Sequence, residues 1–533
     1  MKKISFIFIV TIFCSWILIT SCKTKIYENK KLTPNILIAV ADDISYPHIG
    51  AYGCSWINTP ACNRVAENGI IFTNAYTPNA KSAPSRACIL TGRNSWQLEE
   101  ACNHFPNFPI KFKTFMEVLK ENGYHTGYTA KGWSPGKAIK ENGELRELTG
   151  KNYSNLMMET PTAGIEKFDY ASNFDVFLND RNEDKPFCFW YGSYEPHRPY
   201  EYGTGVKEGR KKKSDIDKVY GFWPDNDAVR NDMLDYALEI EYFDKHLAKM
   251  LEKLESIGEL ENTIVIVLSD NGMPFPRIKG QAYEHSNHLP LMIMWGKGIN
   301  NPGRYIHNYI SFIDIAPTLL EAANIDQLNS GMQKIEGTSF MDIFRSKNSG
   351  LISNKRDYVL IGKERHDVGR PDDVGYPIRG IVKGDFLFVK NFKIDRWPAG
   401  NPETGYLNCD ASPTKSNILN LKREKTNEYY WSLSFGKRVD EELYNITEDP
   451  DCINNLIKEK SYFYVKENLK NQLIKELINQ DDPRILGKGN IFDKYEYTHL
   501  KTKDFYNRYM KGQLSKTSAS WVDSKDFEIK PIN

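Results

Sequence analysis

Two pairs of adjacent oxygen-bearing side chains, Asp42-Asp43 and Asp270-Asn271, each follow directly on a short apolar run. Neighbouring carboxylates repel unless a cation lies between them, and a hard divalent ion is the usual solution. Taken alone, Asp42-Asp43 reads equally well as a helix cap beside a solvated acid, and Ser269-Asp270-Asn271-Gly272 as a turn. Taken together, the two loops offer four oxygen donors, a set suited to Ca²⁺ or Mg²⁺ and poorly suited to zinc. A third segment, Ser82-Ala-Pro84-Ser85-Arg86-Ala-Cys-Ile-Leu90-Thr91-Gly92-Arg93, opens as a Ser/Pro helix start does and adds a hydroxyl and a guanidinium.

Such loops need a frame. Residues 35–40 are an apolar run ending in Ala41-Asp42-Asp43, the pattern of a buried parallel strand with acids at its carboxyl end. Residues 124–129, 186–191 and 263–268 read as three more such strands, with helical patterns at 61–69, 113–122 and 232–254. Their alternation predicts an α/β sandwich around a central, mostly parallel sheet, with ligands beyond the carboxyl ends of the strands. Further on, 358–361, 378–382 and 386–390 read as antiparallel strands and 461–479 as a closing amphipathic helix. The expected division is a catalytic domain over 23–375, a smaller α+β subdomain over 376–480 and a polar tail over 481–533.

The 533 residues carry 70 Lys and Arg against 69 Asp and Glu, so no global basic field gathers nucleic acid, and an anionic substrate needs a local pocket. At the N-terminus, Lys2 and Lys3 precede an apolar run over 4–19 and then Ile19-Thr20-Ser21-Cys22. The run is too short for a comfortable membrane span and has the form of a signal-peptide core. The small residues before Cys22 resemble a bacterial lipobox, so residues 1–22 are expected to be a lipoprotein signal, Cys22 the lipidated residue, and the protein an exported, membrane-anchored one in the periplasm or at the cell surface. No CxxC pair occurs, which argues against a zinc ribbon or thioredoxin-like site.

The Ser82–Arg93 stretch resembles the sulfatase signature, in which Cys or Ser, any residue, and Pro-Ser-Arg lead to Thr-Gly-Arg. The resemblance extends to Gly50-Ala-Tyr-Gly53, Thr59-Pro60, Phe72-Thr-Asn-Ala75, Glu195-Pro196-His197, Lys279 before Tyr283-Glu284 and Leu289-Pro290-Leu291, and Leu443-Tyr-Asn-Ile-Thr-Glu-Asp449-Pro450. Ser-Asp-Asn-Gly-Met-Pro-Phe-Pro over 269–276 and the Tyr376-Pro377-Ile-Arg379 region resemble the N-sulfoglucosamine sulfohydrolase branch most. The resemblance implies an alkaline-phosphatase-like fold and an enzyme that releases sulfate from a sulfated saccharide. It implies a formylglycine made from Ser82 by a radical maturase, one cation held by Asp42, Asp43, Ser82, Asp270 and Asn271, and roles for Arg86, Lys131, His197 and Lys279 in stabilising charge and moving protons.

Two departures stand out. Where the family has Gly-Lys-Trp-His-Leu-Gly, this chain has Ala130-Lys131-Gly132-Trp133-Ser134-Pro135-Gly136, which keeps the lysine and loses the histidine. His288 likewise replaces an arginine, so the expectation is either that His285, His288 or His366 takes over proton transfer or that turnover is slow. Glu364, Arg365, His366, Arg379 and Arg396 are candidates to reach the sugar. The competing readings are a phosphomonoesterase or phosphodiesterase of the same superfamily with unmodified Ser82, and a glycan-binding lipoprotein with an inactive site.

Overall fold

The computed structural model describes residues 33–528. Eight strands form the large sheet: β1 (Asn35–Ala41), β2 (Gly69–Tyr76), β3 (His125–Ala130), β4 (Lys151–Asn152), β5 (Phe187–Gly192), β6 (Thr263–Ser269), β7 (Leu291–Met294) and β8 (Arg304–Ser311). Their order is β4-β3-β5-β1-β6-β7-β2-β8, and every pairing is parallel except the two made by β7. β1, β5 and β6 are buried along their whole length, which explains their unbroken apolar sequences. The twofold period of a strand sends Leu37, Ala39 and Ala41 into one core with the long helix Asp227–Ser256, and Ile36, Ile38 and Val40 into another with helices Ser82–Thr91, Phe115–Glu121 and Ile315–Ala322.

The expected fold class is found, with differences in detail. The helical pattern over 61–69 ends at Glu67, and β2 begins at Gly69, two residues on. A four-stranded antiparallel sheet, β12-β11-β10-β9, joins β9 (Tyr358–Lys363), β10 (Ile378–Lys383), β11 (Phe386–Asn391) and β12 (Glu441–Asn445). Since β9 precedes residue 376, the expected domain boundary falls inside this sheet. Helix Phe463–Asn479 packs Leu469, Leu473 and Leu477 on one face of it. The stretch after 480 is folded rather than a polar tail: Tyr497, Phe505, Val522 and Phe527 are buried with Val368 and Leu407. All of these elements belong to one compact unit. The signal sequence and Cys22 lie outside the described residues, and no described helix is long and apolar enough to cross a membrane.

Register decides what meets at the carboxyl edge. Ala41 pairs with Ser269, Val40 with Gly192, and Ala130 with Gly192. The residues that follow these strands, Asp42-Asp43, Asp270-Asn271, the 193–197 loop and Lys131, therefore emerge side by side.

Candidate active site

At that edge Asp42, Asp43, Asp270 and Asn271 are completely buried. Carboxylate oxygens of Asp42, Asp43 and Asp270 lie within 4.8 Å of one another. The backbone of Asp43 is forced to φ 87, a left-handed conformation that an aspartate adopts at a cost of order 1–3 kcal/mol. Its amide donates to Asp270 Oδ1 at 3.2 Å, and its carboxylate accepts from Asn271 Nδ2.

Ser82 opens the wholly buried helix Ser82–Thr91, which Gly92 ends in the left-handed conformation at φ 66. Its positive N-terminal end faces the carboxylates. Ser82 Oγ donates to Asp42 Oδ1 at 3.0 Å, lies 3.4 Å from Asn271 Oδ1 and accepts from Lys131 Nζ at 3.3 Å. Lys131 Nζ is also paired with Asp42 Oδ2, and Lys279 Nζ bridges Asp43 Oδ2 at 2.7 Å and Asp410 Oδ2 at 2.9 Å.

Arg86 departs from expectation. Rather than facing a substrate, it sits fully buried behind the carboxylates. Its Nε donates to Asp270 Oδ2 at 2.8 Å and its Nη1 to the carbonyls of Lys131 and Gly132 at 2.7 and 2.9 Å. Its Nη2 finds no hydrogen-bond partner among the described residues and lies 3.7 Å from Asp42 Oδ1. Arg86 is the clamp that ties the helix to two strand ends.

The electrostatics call for a further positive charge. Burial pushes Asp43 and Asp270 up to about 6, against the pull of Lys279 and Arg86 respectively. Burial would also raise Asp42, but Lys131, His197 and Arg86 hold it well below the usual carboxylate range. Four carboxylates, Asp410 included, thus face three cationic side chains, one negative charge in excess. A hard divalent ion among these all-oxygen donors corrects the balance and leaves the site positive toward an anionic ester, so the residues present fit such an ion. Asp43, His197 and Asp410 are also close enough to hold an ion, but the Lys279 ammonium bonds both carboxylates and takes that place.

Above this layer is a pocket of about 360 Å³ lined by Ser82, Lys131, His197, Lys279 and Asp410, with Lys81, His104, Phe105, Ser134, Pro135, Tyr194, Asp367 and Trp521 completing its wall. Burial and the nearby Lys279 push His197 down to about 4. Its Nδ1 is 2.6 Å from the Arg198 carbonyl, so Nδ1 carries the proton and Nε2 is the free nitrogen.

The candidate sugar contacts are placed elsewhere. Glu364 accepts from Arg379 and Arg484 in a buried network that Asp482 completes, because two guanidiniums and two carboxylates there satisfy one another. Arg365 donates to the carbonyls of Tyr495 and Glu496, and Arg396 to Asp493. His366 is paired with Asn79 at 2.7 Å, His285 with Asp451 at 2.9 Å and His288 with Glu284 at 2.6 Å. None of these residues lines the pocket. The histidines that do are His197 and His104, and His104 had no flanking motif to reveal it. Asp410, Asp367 and Trp521 were missed for the same reason, each lying in an irregular segment of the second half. Trp133, two residues after Lys131, donates Nε1–H to the Ala83 carbonyl at 3.0 Å.

Comparison with known proteins gives this arrangement a family. A family model described as Sulfatase matches residues 34–325. Human N-sulphoglucosamine sulphohydrolase is 24% identical over 497 residues, spanning 86% of this chain and 93% of that protein. An ulvan-active sulfatase of Formosa agariphila is 25% identical over 517 residues, spanning 86% of this chain and 77% of its own length. The structure of BT4656 in complex with its substrate D-glucosamine-2-N,6-O-disulfate superposes with a TM-score of 0.62 at 19% identity, covering 84% of this chain and 98% of that one. With more than half of its residues matched, and with its cation-ready carboxyl edge and Ser-x-Pro-Ser-Arg helix, the chain belongs to the sulfatase family of sulfuric ester hydrolases.

Proposed function

We propose that this protein removes sulfate from a sulfated glycan, such as a glycosaminoglycan or algal polysaccharide fragment, using a formylglycine made from Ser82 beside one Ca²⁺ or Mg²⁺. The observation that carries the reading is the convergence of Asp42, Asp43, Asp270 and Asn271 beneath Ser82, with Lys131 and Lys279 at the floor of one small pocket. The names of the relatives, which act on glucosamine and ulvan sulfates, support the glycan class.

The ion, when bound, supplies Lewis-acid charge and acidifies a coordinated hydroxyl. An aldehyde at position 82 offers two hydroxyls on hydration, one to take up the sulfuryl group and one whose deprotonation releases it. The chain's own residues do the rest. Lys131 and Lys279 hold the sulfate oxygens and stabilise the charge that grows on them. Arg86 keeps Asp270 and the Lys131 loop in place. His197 Nε2 faces the pocket; an anionic sulfate beside it favours the imidazolium, which then protonates the departing oxygen or nitrogen. Lys279 between Asp43 and Asp410 favours one cation over the two-metal centre of a phosphatase. Export as a lipoprotein anchored through Cys22, and a maturase acting on Ser82, complete the reading.

Incubation of the mature enzyme with defined sulfated saccharides, read as released sulfate, tests this function. Turnover of at least one N- or O-sulfated sugar is expected. Hydrolysis of phosphate monoesters with no sulfate release would overturn it.

A further inference from the structure

Part of the pocket wall takes no part in the sulfate chemistry. Asp367 is buried there, with Oδ1 2.8 Å from His104 Nδ1 and Oδ2 2.7 Å from Lys81 Nζ. The backbone fixes both partners of the histidine contact: Asp367 N donates to Asn408 Oδ1 at 3.0 Å, and His104 N to the Arg365 carbonyl at 3.1 Å. All three side chains line the pocket, and Trp521 stands beside them, its indole N–H bound to the Leu407 carbonyl at 2.7 Å.

The chemistry of this wall differs from that of the floor. A proton on His104 Nδ1, donated to Asp367, leaves Nε2 as an acceptor without a protein partner among the described residues. Burial pushes His104 down to about 4, so near neutral pH the ring is uncharged. Lys81 and Asp367 cancel in charge, and a lysine ammonium has three donors, of which Asp367 takes one. The wall is therefore a net-neutral donor and acceptor pair beside a positive floor. An anion is drawn to the floor, and uncharged polar groups match the wall.

We propose that Lys81 and His104, positioned by Asp367 and flanked by the Trp521 ring, form a subsite that reads free hydroxyl groups of the sugar bearing the scissile sulfate. His104 Nε2 accepts from one hydroxyl, Lys81 Nζ donates to a neighbouring oxygen, and the indole face covers the apolar side of the ring. The substrate class is thus a sugar held by its hydroxyls as well as by its sulfate. This deepens the glycan reading above and rests on it.

Binding isolates the two halves of the site. In a Ser82→Ala background loaded with calcium, inorganic sulfate and two saccharides, N-sulfoglucosamine and glucosamine 6-sulfate, are titrated by calorimetry. Adding His104→Ala is expected to weaken the tighter saccharide about tenfold or more while sulfate changes by less than about twofold. His104→Gln, which restores an acceptor, recovers part of the loss. Asp367→Asn weakens the saccharide without weakening sulfate, as a positioning residue should. Unchanged saccharide affinity in His104→Ala, or an equal loss for sulfate, would overturn the subsite. Sulfate binding without saccharide binding in the parent protein would instead overturn the glycan reading, and the subsite with it.

Discussion

At the scale of single residues, the buried acids set the terms. In the cation-free protein, burial pushes Asp43 and Asp270 up from the ordinary 3.8 to about 6. The folded state then binds more protons than the unfolded chain between roughly pH 4 and pH 6, so stability contributed by these groups is lost as pH rises through that window. A bound cation must displace the same protons, and its affinity rises across the same range. The gap in Tm between calcium-loaded and EDTA-treated protein should therefore widen from pH 5 to pH 7; at an ion concentration about 100 times Kd the stabilisation is about 2.7 kcal/mol. A gap that is constant or shrinks would contradict the assignment of these acids as ligands. Asp410 belongs to the same scale. Asp410 and Asp43 hold Lys279 above the usual ammonium range despite burial, and Asp410 bonds its Nζ at 2.9 Å. Asp410→Ala leaves Lys279 paired with Asp43 alone and should lower kcat/KM for sulfate release by about tenfold or more, an effect that steady-state kinetics reads directly. The acid pairs and Ser82 were legible because each follows an apolar run or lies in a dense local motif. Asp410 was not, since nothing within its own loop says that a lysine 131 residues earlier will meet it.

At the scale of elements, the site depends on how closely strand ends approach. Gly192 closes β5, and a Cβ built there would fall 1.8 Å from the Lys131 carbonyl, an atom that also accepts from Arg86 and from Trp190. Gly192→Ala must push the Lys131 loop away. Because a displacement of about 1 Å at reacting groups can cost on the order of 10²-fold, kcat/KM should fall by that order while the protein still folds. Circular dichroism with kinetics checks both halves of this prediction. The parallel strands β1, β5 and β6 were read to within about two residues, since fully buried strands are continuous apolar runs; β3, only partly buried, was read as closely. β2, β7 and β8 were not: β2 follows a helix after a single residue, and β7 is four residues long, so neither carries a period of its own.

At the scale of the whole molecule, the segment after residue 480 is part of the enzyme. It supplies Trp521 to the pocket and packs Tyr497, Phe505, Val522 and Phe527 against Val368 and Leu407, whose neighbour Asp367 lies on the pocket wall. Truncation after residue 480 removes Tyr497, Phe505, Val522 and Phe527 together with the buried Phe492, and the loss of even one or two costs several kcal/mol. The truncated chain should lose several degrees or more of Tm, or fail to accumulate as soluble protein, which thermal scanning of purified material would show. Its polar composition hid this, because scattered aromatic residues in irregular backbone have no periodicity to mark a core.

Catalysis as proposed here turns on an oxidised residue 82 beside one cation. Mass spectrometry of the peptide containing residue 82, taken from enzyme that releases sulfate, tests it most directly. The expected result is a residue lighter than serine by a pair of hydrogen atoms, with activity tracking the fraction so modified and absent in Ser82→Ala. Full sulfatase activity from a protein whose residue 82 is entirely unmodified serine would contradict it.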